Sequence, residues 1–168
     1  ILDHLNLAYS KQIWNLCAAE QIPLVYASSA ATYGLGEFGY NDEHAICAHL
    51  KPLNLYGISK NDFDIWALQQ ENCPPHWYGL KFFNVYGPGE GHKGRQASMA
   101  FHLRKQLLSS GLQKLYKSYK KEYPHGGQER DFVFVGDVTK VLLHFARGEN
   151  KSGIYNVGTG LARSFNDL

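Results

Sequence analysis

Residues 22–29 read IPLVYASS, a short apolar run that ends in two small hydroxyl residues. Its length and continuous apolar character are typical of a parallel strand that is buried on both faces. The preceding residues 3–20 show helical periodicity, with apolar side chains spaced three and four positions apart. The stretch therefore predicts a helix followed by a buried strand, which is half of the repeating unit of an α/β fold.

The same alternation continues along the rest of the chain. The pattern predicts helices over 56–70, 96–109 and 137–147, and strands over 77–85, 131–135 and 153–157. Strands that alternate with helices indicate an α/β fold, here a Rossmann-like, doubly wound and mostly parallel sheet. A small substrate-binding region is expected towards the C-terminus.

The first strands of this sheet are expected to be missing from the chain. A dinucleotide-binding fold begins with a strand, a glycine-rich turn and a helix, whereas this chain opens on a helical pattern. Gly89–Gly94 matches GxGxxG by letter, but no acidic residue follows about 20 positions later to hold a ribose, so we reject it. We predict that residues 1–90 are the C-terminal part of a Rossmann domain and that 91–168 form a substrate-binding region interleaved with returning Rossmann elements.

Composition excludes several classes of protein. Apolar residues make up 44% of the chain and charged residues 19%, which is typical of a globular protein rather than a disordered one. No apolar stretch approaches the length of a membrane-spanning helix, and no signal peptide is recognisable. Cys17, Cys47 and Cys73 lack metal-ligand spacing, so we expect free thiols, no metal site and a cytoplasmic location.

The positive charges are unevenly distributed. Residues 91–121 hold eight lysines and arginines and no acidic residue, although the net charge is only +2. The stretch is either a solvated helix face with a basic loop or an anion-binding site. A nucleic-acid partner is disfavoured because the rest of the chain is balanced in charge and contains no nucleic-acid-binding motif.

Residues 56–60 read YGISK at the predicted start of the second helix. A spacing of four places the Tyr56 phenol and the Lys60 ammonium on one face of the helix. Tyrosine in water ionises only near pH ~10, so it needs a neighbouring cation to act as a base at neutral pH. Lys60 and a cationic nicotinamide ring would stabilise such a phenolate, which could take a proton from a sugar hydroxyl while hydride leaves the same carbon.

The YxxxK pattern occurs a second time, from Tyr116 to Lys120, so the pattern alone is not specific. Only Tyr56 is preceded by hydroxyl residues at a strand end, in the sequence SSAATYG of residues 28–34. Ligands bind at that edge of open α/β sheets. We therefore expect Ser28 and Ser29 to face the ligand crevice, with a satisfied turn as the alternative.

Several strings occur in the order found in one enzyme family: SSAATYG, YGISK, FFNVYGPGEGHKG, RDFVFVGDV and YNVGTG. Over essentially its whole length the chain resembles the extended short-chain dehydrogenases, which include nucleotide-sugar epimerases and dehydratases. KPLNLYGISK, NVYGPGEGHKG and AFHL are especially similar to the ADP-heptose 6-epimerases of lipopolysaccharide core synthesis. The lysine of GHKG is the most specific feature, since UDP-glucose 4-epimerases do not usually place a lysine there.

The resemblance implies catalytic roles for three residues. Tyr56 would be one acid/base, Lys93 the opposing one, and Ser29 would contact the reacting hydroxyl. The implied cofactor is NADP, with NAD as the alternative. Its implied contacts are Asn6, Lys60, Val85 and Lys93.

The resemblance also implies an ADP-sugar substrate. The implied contacts are Ser29, Asn84, Arg95, His102, Tyr116, Lys117, Ser118, Tyr119 and Arg130. A guanidinium such as that of Arg130 can bind a diphosphate through two parallel hydrogen bonds, with an ion pair to Asp131 as the alternative. Arg95 departs from the family, which has a small serine-containing stretch at this point.

The implied assembly is a homo-oligomer, specifically a homopentamer, with no nucleic-acid or membrane partner.

The implied reaction is inversion at carbon six of the heptose in ADP-glycero-manno-heptose, through transient oxidation to a ketone. The nearest rivals are a UDP-glucose 4-epimerase and a dehydratase. A dehydratase is expected to carry an Asp-Glu pair after the strand-end hydroxyl, whereas Ala30–Thr32 follow Ser29 here. The rival of another class is a noncatalytic Rossmann nucleotide-binding module, and such modules often lose the tyrosine that this chain keeps as Tyr56.

Overall fold

The computed structural model describes residues 3–119, 121–122 and 124–168, with side chains described from Asn6 onward. The α-helices are α1 (Tyr9–Ala19), α2 (Leu55–Leu68), α3 (Met99–Ser110) and α4 (Val135–Ala146). The strands are β1 (Leu24–Ser29), β2 (Trp77–Phe82), β3 (Asn84–Tyr86), β4 (Glu129–Phe134), β5 (Gly153–Val157) and β6 (Ala162–Ser164). A π-helical segment covers Asp3–Ala8, and 3-10 turns cover Ala30–Tyr33, His44–His49, Glu90–Gln96 and Phe165–Asp167. Lys120, the end of the second YxxxK pattern, lies outside the described residues.

The chain divides into two compact units. Unit 1 comprises Ile1–Phe82 and Val141–Val157 and contains a parallel sheet in the order β1-β2-β5. Its core lies where α1 and α2 pack their aromatic side chains, with Trp14 fully buried beside Phe63 and Trp77. The predicted parallel α/β architecture is confirmed in this unit.

Unit 2 comprises Phe83–Lys140 and Gly158–Leu168 and holds a second sheet in the order β3-β4-β6. Strand β3 pairs with β4 in parallel, and β4 pairs with β6 in antiparallel orientation. The strand β6 had no counterpart in the sequence prediction, because three residues are too few to show a period. The 3-10 segments, which are three to seven residues long, had none either.

The single strand predicted over 77–85 is wrong. Pairing of β2 ends at Phe82, opposite Ser29 on one side and Val157 on the other. The backbone then turns tightly, since the Val85 N–H donates to the Phe83 carbonyl at 3.0 Å. The sequence FFNVY across this turn contains no glycine or proline, so neither of the strongest turn signals marked the change of sheet.

The observed helix α3 begins three residues after the predicted start at residue 96. Ser98 is its N-cap, with Oγ accepting from the Phe101 N–H at 3.2 Å. The helix ends at Ser110 and is capped by Gly111, whose φ is 68°. Residues 90–96 form the 3-10 turn instead. Between α3 and β4 the described residues contain no further helix or strand.

No helix among the described residues is both long enough and apolar enough to cross a membrane. Within the same residues, no three His, Cys, Asp or Glu side chains group in a way that could hold a metal ion. Cys17, Cys47 and Cys73 are free thiols, as predicted.

Candidate active site

Tyr56 lies in the first turn of α2. The helix begins there because Asn54 caps it, with Oδ1 accepting from the Gly57 N–H at 2.8 Å. One turn later, the Lys60 Nζ lies 5.9 Å from the centroid of the Tyr56 ring and donates to the Ala27 carbonyl at 2.8 Å. The predicted arrangement of phenol and ammonium on one helical face is confirmed, and the Tyr56 side chain is 43% exposed.

Lys60 is half-buried, and its environment suits a group that binds hydroxyls. Burial lowers the pKa of Lys60, and the attraction of Asp64, one turn further along α2, opposes that shift. An ammonium has three N–H donors. The Ala27 carbonyl takes one of them. A contact of Lys60 with the ribose of a cofactor stays a prediction.

Gly57 allows the start of α2 to pack directly against the turn that follows Ser29. A Cβ atom at Gly57 would lie 2.7 Å from the Ala31 carbonyl oxygen and 2.9 Å from the Pro52 Cβ. Any larger residue would push the two backbones apart. The glycine of YGISK therefore brings Tyr56 and the strand-end segment together.

The two strand-end serines have different roles. Ser29 is 9% exposed, and its Oγ accepts from the Ala31 N–H at 3.1 Å, which leaves its own hydroxyl proton to be donated elsewhere. Ser28 is 2% exposed and donates to the Asp64 Oδ2 at 2.6 Å. The prediction that Ser28 faces a crevice is wrong, because successive strand residues point to opposite faces of the sheet.

Asn6 contacts α2 from the π-helical segment. Its Nδ2 donates to the Ser59 Oγ at 3.0 Å, and that hydroxyl donates in turn to the Tyr56 carbonyl at 2.8 Å. Asn6 thus lies beside the YxxxK turn, and its contact with a cofactor stays a prediction.

A buried ion pair lies below the Tyr56–Lys60 turn, and the sequence analysis did not identify it. Asp64 of α2 and Lys81 of β2 are both fully buried, with Nζ and Oδ2 3.1 Å apart. Lys81 also donates to the Thr32 Oγ1 at 2.7 Å, and the Tyr26 hydroxyl donates to the Asp64 Oδ1 at 3.1 Å. The signal that could have revealed the pair is a lysine inside the apolar run 77–83.

The surroundings of Asp64 act on its pKa in opposite directions. Burial raises the pKa of Asp64, while the Lys81 ammonium and hydrogen bonds from Ser28, Lys81 and Tyr26 oppose that shift. Burial and the nearby Asp64 carboxylate raise the pKa of Tyr26 well above its usual value, so Tyr26 stays a neutral donor. The network joins β1, β2 and α2 beneath the residues proposed to carry the chemistry.

In unit 2, Lys93 lies in the 3-10 turn that precedes α3. Its side chain is 45% exposed, with Nζ 3.8 Å from the Glu90 Oε2. It lines a cavity of about 300 Å³ together with Asn84 and Val85 of β3, and with Phe132 and Phe165. The structure therefore brings together three residues that the resemblance assigned to cofactor or substrate.

Glu90, which is 5% exposed, binds the backbone on either side of the GxGxxG-like segment. Its carboxylate accepts from the backbone N–H groups of Gly87 and Ser98, so neither is available to a phosphate. Burial by itself would raise the pKa of Glu90, but hydrogen bonds from Ser98 and Gly87 and the nearby Lys93 together lower it.

Arg130 lies on β4 and is exposed. It donates to the Glu129 carbonyl at 2.6 Å, and its guanidinium lies 6.0 Å from the Phe165 ring centroid. The alternative of an ion pair with Asp131 is wrong, because the Asp131 carboxylate instead accepts from the backbone N–H groups of Thr159 and Gly160, at 2.9 and 2.8 Å. The Arg130 guanidinium therefore remains accessible to an anion.

The other predicted substrate contacts lie away from the cavity that Lys93 lines. Arg95, Tyr116, Lys117 and Tyr119 are exposed, and Tyr119 is 93% exposed. His102 is half-buried on α3, and the Ser118 N–H donates to the His125 Nδ1 at 3.0 Å. Their contacts with a substrate stay predictions.

A parallel α/β unit with a strand-end serine beside a Tyr-Lys helix defines a Rossmann-type protein of the short-chain dehydrogenase kind. Residues 3–158 match the model of the NAD dependent epimerase/dehydratase family, and the chain belongs to that family. It is similar to a protein of Fusobacterium nucleatum named ADP-L-glycero-D-manno-heptose-6-epimerase, with 55% identity over 165 residues. The match covers 97% of this chain and 50% of that protein, so the chain spans about half the length of the curated relatives it matches.

Solved structures show the same fold. The ADP-L-glycero-D-manno-heptose-6-epimerase of Helicobacter pylori is 34% identical, with a TM-score of 0.72, over 90% of this chain and 44% of that one. The UDP-glucose 4-epimerase of Thermus thermophilus, in complex with NAD, is 28% identical, with a TM-score of 0.71, over 98% of this chain and 52% of that one.

Proposed function

We propose that this chain is part of an epimerase that converts ADP-D-glycero-β-D-manno-heptose to ADP-L-glycero-β-D-manno-heptose, a precursor of the lipopolysaccharide core. The observation that carries the proposal is the 55% identity, sustained over 165 residues, to a relative of that name. The local geometry is compatible with it, since Tyr56 and Lys60 share a helical face and Lys93 lines a cavity.

We assign residues 1–90 to the C-terminal part of the cofactor-binding domain, and 91–168 to a substrate-binding region interleaved with returning Rossmann elements. The pairing of β5 with β2 supports the interleaving, because β5 follows the second sheet's strand β4 in the chain but belongs to unit 1. Limited proteolysis of the complete protein should cut first near the crossings between the two units.

The cofactor of the proposed reaction is NADP, with NAD as the alternative. The family model and the NAD complex of the Thermus relative support a nicotinamide cofactor. Lys60 fits the nicotinamide ribose because it is half-buried and has N–H donors beyond the one that Ala27 accepts. Asn6, Val85 and Lys93 are the further proposed contacts. Calorimetric titration of the complete protein with NADP and with NAD would decide the preference.

The proposed roles follow from the chemistry of inversion. The chemistry that a bound nicotinamide would supply is the reversible acceptance of hydride from carbon six. Tyr56, as a phenolate beside the Lys60 ammonium, takes the hydroxyl proton, so the carbon–oxygen bond becomes a ketone. After the ketone has rotated, Lys93 is the second proposed acid/base and donates a proton to its oxygen. The proposed role of Ser29 is to contact that oxygen through its hydroxyl proton. A proton then passes from Tyr56 to Lys93 through solvent, which restores the starting protonation state of both side chains.

The test is the fate of deuterium at carbon six of the ADP-heptose substrate. If hydride leaves and returns within one active site, the inverted product retains the deuterium, and nuclear magnetic resonance detects both its position and the inversion. Turnover of UDP-glucose in place of ADP-heptose would favour the 4-epimerase rival, and loss of water would favour a dehydratase. Nucleotide binding without any turnover would favour the noncatalytic module.

The contacts with an ADP-sugar are proposed at Ser29, Asn84, Arg95, His102 and Arg130. The segment Tyr116–Tyr119 completes the set.

The resemblance also implies a homopentamer, which the mass of the complete protein in light scattering would test. Three free thiols suit a reducing compartment, and we place the protein in the cytoplasm.

A further inference from the structure

Glu90 is a buried acidic residue in the same turn as Lys93, and the proposed reaction gives it no role. Its Oε1 accepts from the Gly87 N–H at 3.1 Å and from the Ser98 Oγ at 2.7 Å. Its Oε2 accepts from the Ser98 N–H at 2.7 Å and lies 3.8 Å from the Lys93 Nζ. One carboxylate thus contacts three separate points of the loop.

These contacts join the two elements on either side of the Lys93 turn. Gly87 directly follows β3, the strand of Asn84 and Val85, and Ser98 is the N-cap of α3. The turn between them bends at Gly89 and Gly94, whose φ angles of 89° and 55° favour glycine. The His92 ring and the Ala97 N–H contact carbonyls within the turn, at Gly89 and Gly94, whereas the Glu90 carboxylate joins the turn to the residues at both of its ends.

We propose that Glu90 is the positioning residue for Lys93: its carboxylate fixes the 3-10 turn against β3 and α3, and so places the Lys93 ammonium at the cavity beside Asn84. This inference rests on the proposed function, in which Lys93 is the opposite-face acid/base. Glu90 lines the same cavity, and the role proposed for it is exerted through the loop.

Glu90→Gln tests the proposal because the amide cannot reproduce the four contacts. A carboxylate offers acceptor oxygens to both backbone N–H groups, whereas an amide has one oxygen and one NH₂. In one orientation of the amide its NH₂ group faces the Gly87 N–H, and in the other it faces the Ser98 N–H. In both cases two donors face each other and one hydrogen bond is lost. The side chain keeps its size, so a change in the loop reflects lost hydrogen bonds and not a cavity.

The first measurement is amide hydrogen exchange in the complete protein, which does not depend on any activity. In Glu90→Gln we expect faster exchange at Gly87 and Ser98. The matched control is Asp137→Asn, which neutralises the acid of an exposed Asp137–Lys140 pair with the same three-residue spacing, in the same unit. The control should leave exchange at both positions unchanged.

The second measurement separates the two halves of the proposed reaction. In Glu90→Gln we expect epimerisation of ADP-heptose to fall about a hundredfold, the scale of a displacement of about 1 Å in a reacting group. At saturating nicotinamide cofactor, its transient reduction should keep its rate in stopped-flow absorbance, because the proton step of that half-reaction uses Tyr56 and not Lys93. Lys93→Met should give the same split, and Asp137→Asn should change neither rate.

Each outcome decides the proposal. Equal losses of both half-reactions would show a general structural defect and would overturn it. Unchanged epimerisation, or unchanged exchange at Gly87 and Ser98, would also overturn it. A wild-type protein that never epimerises ADP-heptose refutes the proposed function instead, and the exchange data then still decide whether Glu90 holds the loop.

Discussion

Lys81→Met should destabilise unit 1 far more than the loss of an ordinary surface charge. The change leaves the Asp64 carboxylate fully buried with hydrogen bonds from Ser28 and Tyr26 but without its cation, and leaves the Thr32 Oγ1 without a donor. Removing one partner of a buried ion pair costs about 3–5 kcal/mol. We expect a loss of that size at neutral pH, since both partners are almost completely inaccessible to solvent.

The dependence of this loss on pH provides a second, independent signature. Burial raises the folded-state pKa of Asp64, and removing Lys81 takes away the attraction that opposes the shift. A group with a raised folded pKa contributes full stability below its unfolded pKa, about 3.9 for aspartate, and loses it as the pH rises through the folded value. The deficit of Lys81→Met relative to wild type should therefore be smallest near pH ~4 and grow towards neutral pH.

Urea unfolding followed by tryptophan fluorescence measures the effect in the correct unit. All three tryptophans belong to unit 1, and Trp14 contacts both Trp66 and Trp77. The matched control is Lys51→Met, which breaks an exposed pair with Glu37 at 3.0 Å and should cost at most about 1 kcal/mol.

The double variant Asp64→Asn/Lys81→Met isolates the cost of the unpaired charge. It removes both charges and should recover at least half of the loss, because replacing a buried pair by neutral groups is often close to neutral. A deficit below about 1 kcal/mol at neutral pH would refute the reasoning. A deficit that increases as the pH falls would refute it equally.

Three further changes test the site. Tyr56→Phe should lower turnover of ADP-heptose at least about a hundredfold, the contribution of a general acid/base, with little change in substrate affinity; near-normal turnover would remove Tyr56 from its role. Gly57→Ala should lower the urea midpoint despite its better helix propensity of about 1 kcal/mol, because overpacking against the Ala31 carbonyl at 2.7 Å costs about 1–3 kcal/mol; a raised midpoint would contradict the close packing. Arg130→Lys should weaken ADP binding in calorimetry about tenfold, since lysine keeps the charge but loses the bidentate geometry; unchanged affinity would exclude Arg130 from the diphosphate site.

Much of the fold could be predicted because helices and buried strands leave periodic signals in the sequence. The predicted strand over 153–157 matches β5 residue for residue, and α2 was placed within two residues of its observed ends. The break at Phe83 left no such signal, since it depends on where β1 and β5 stop pairing with β2. The type of residue at position 83 does not show where the neighbouring strands β1 and β5 end.

The sequence by itself determined the local elements and the Tyr56–Lys60 pair, because a spacing of four within one helix brings two side chains together whatever surrounds them. Tertiary structure alone decided which charged residues lie inside. Asp64 and Lys81 meet only when α2 packs on the sheet, and Glu90 is buried only because β3 and α3 close around its turn. Asp131 likewise bonds to the backbone after β5 and not to the adjacent Arg130. Such contacts join residues from separate elements, and their energies depend on desolvation, which a linear pattern does not record.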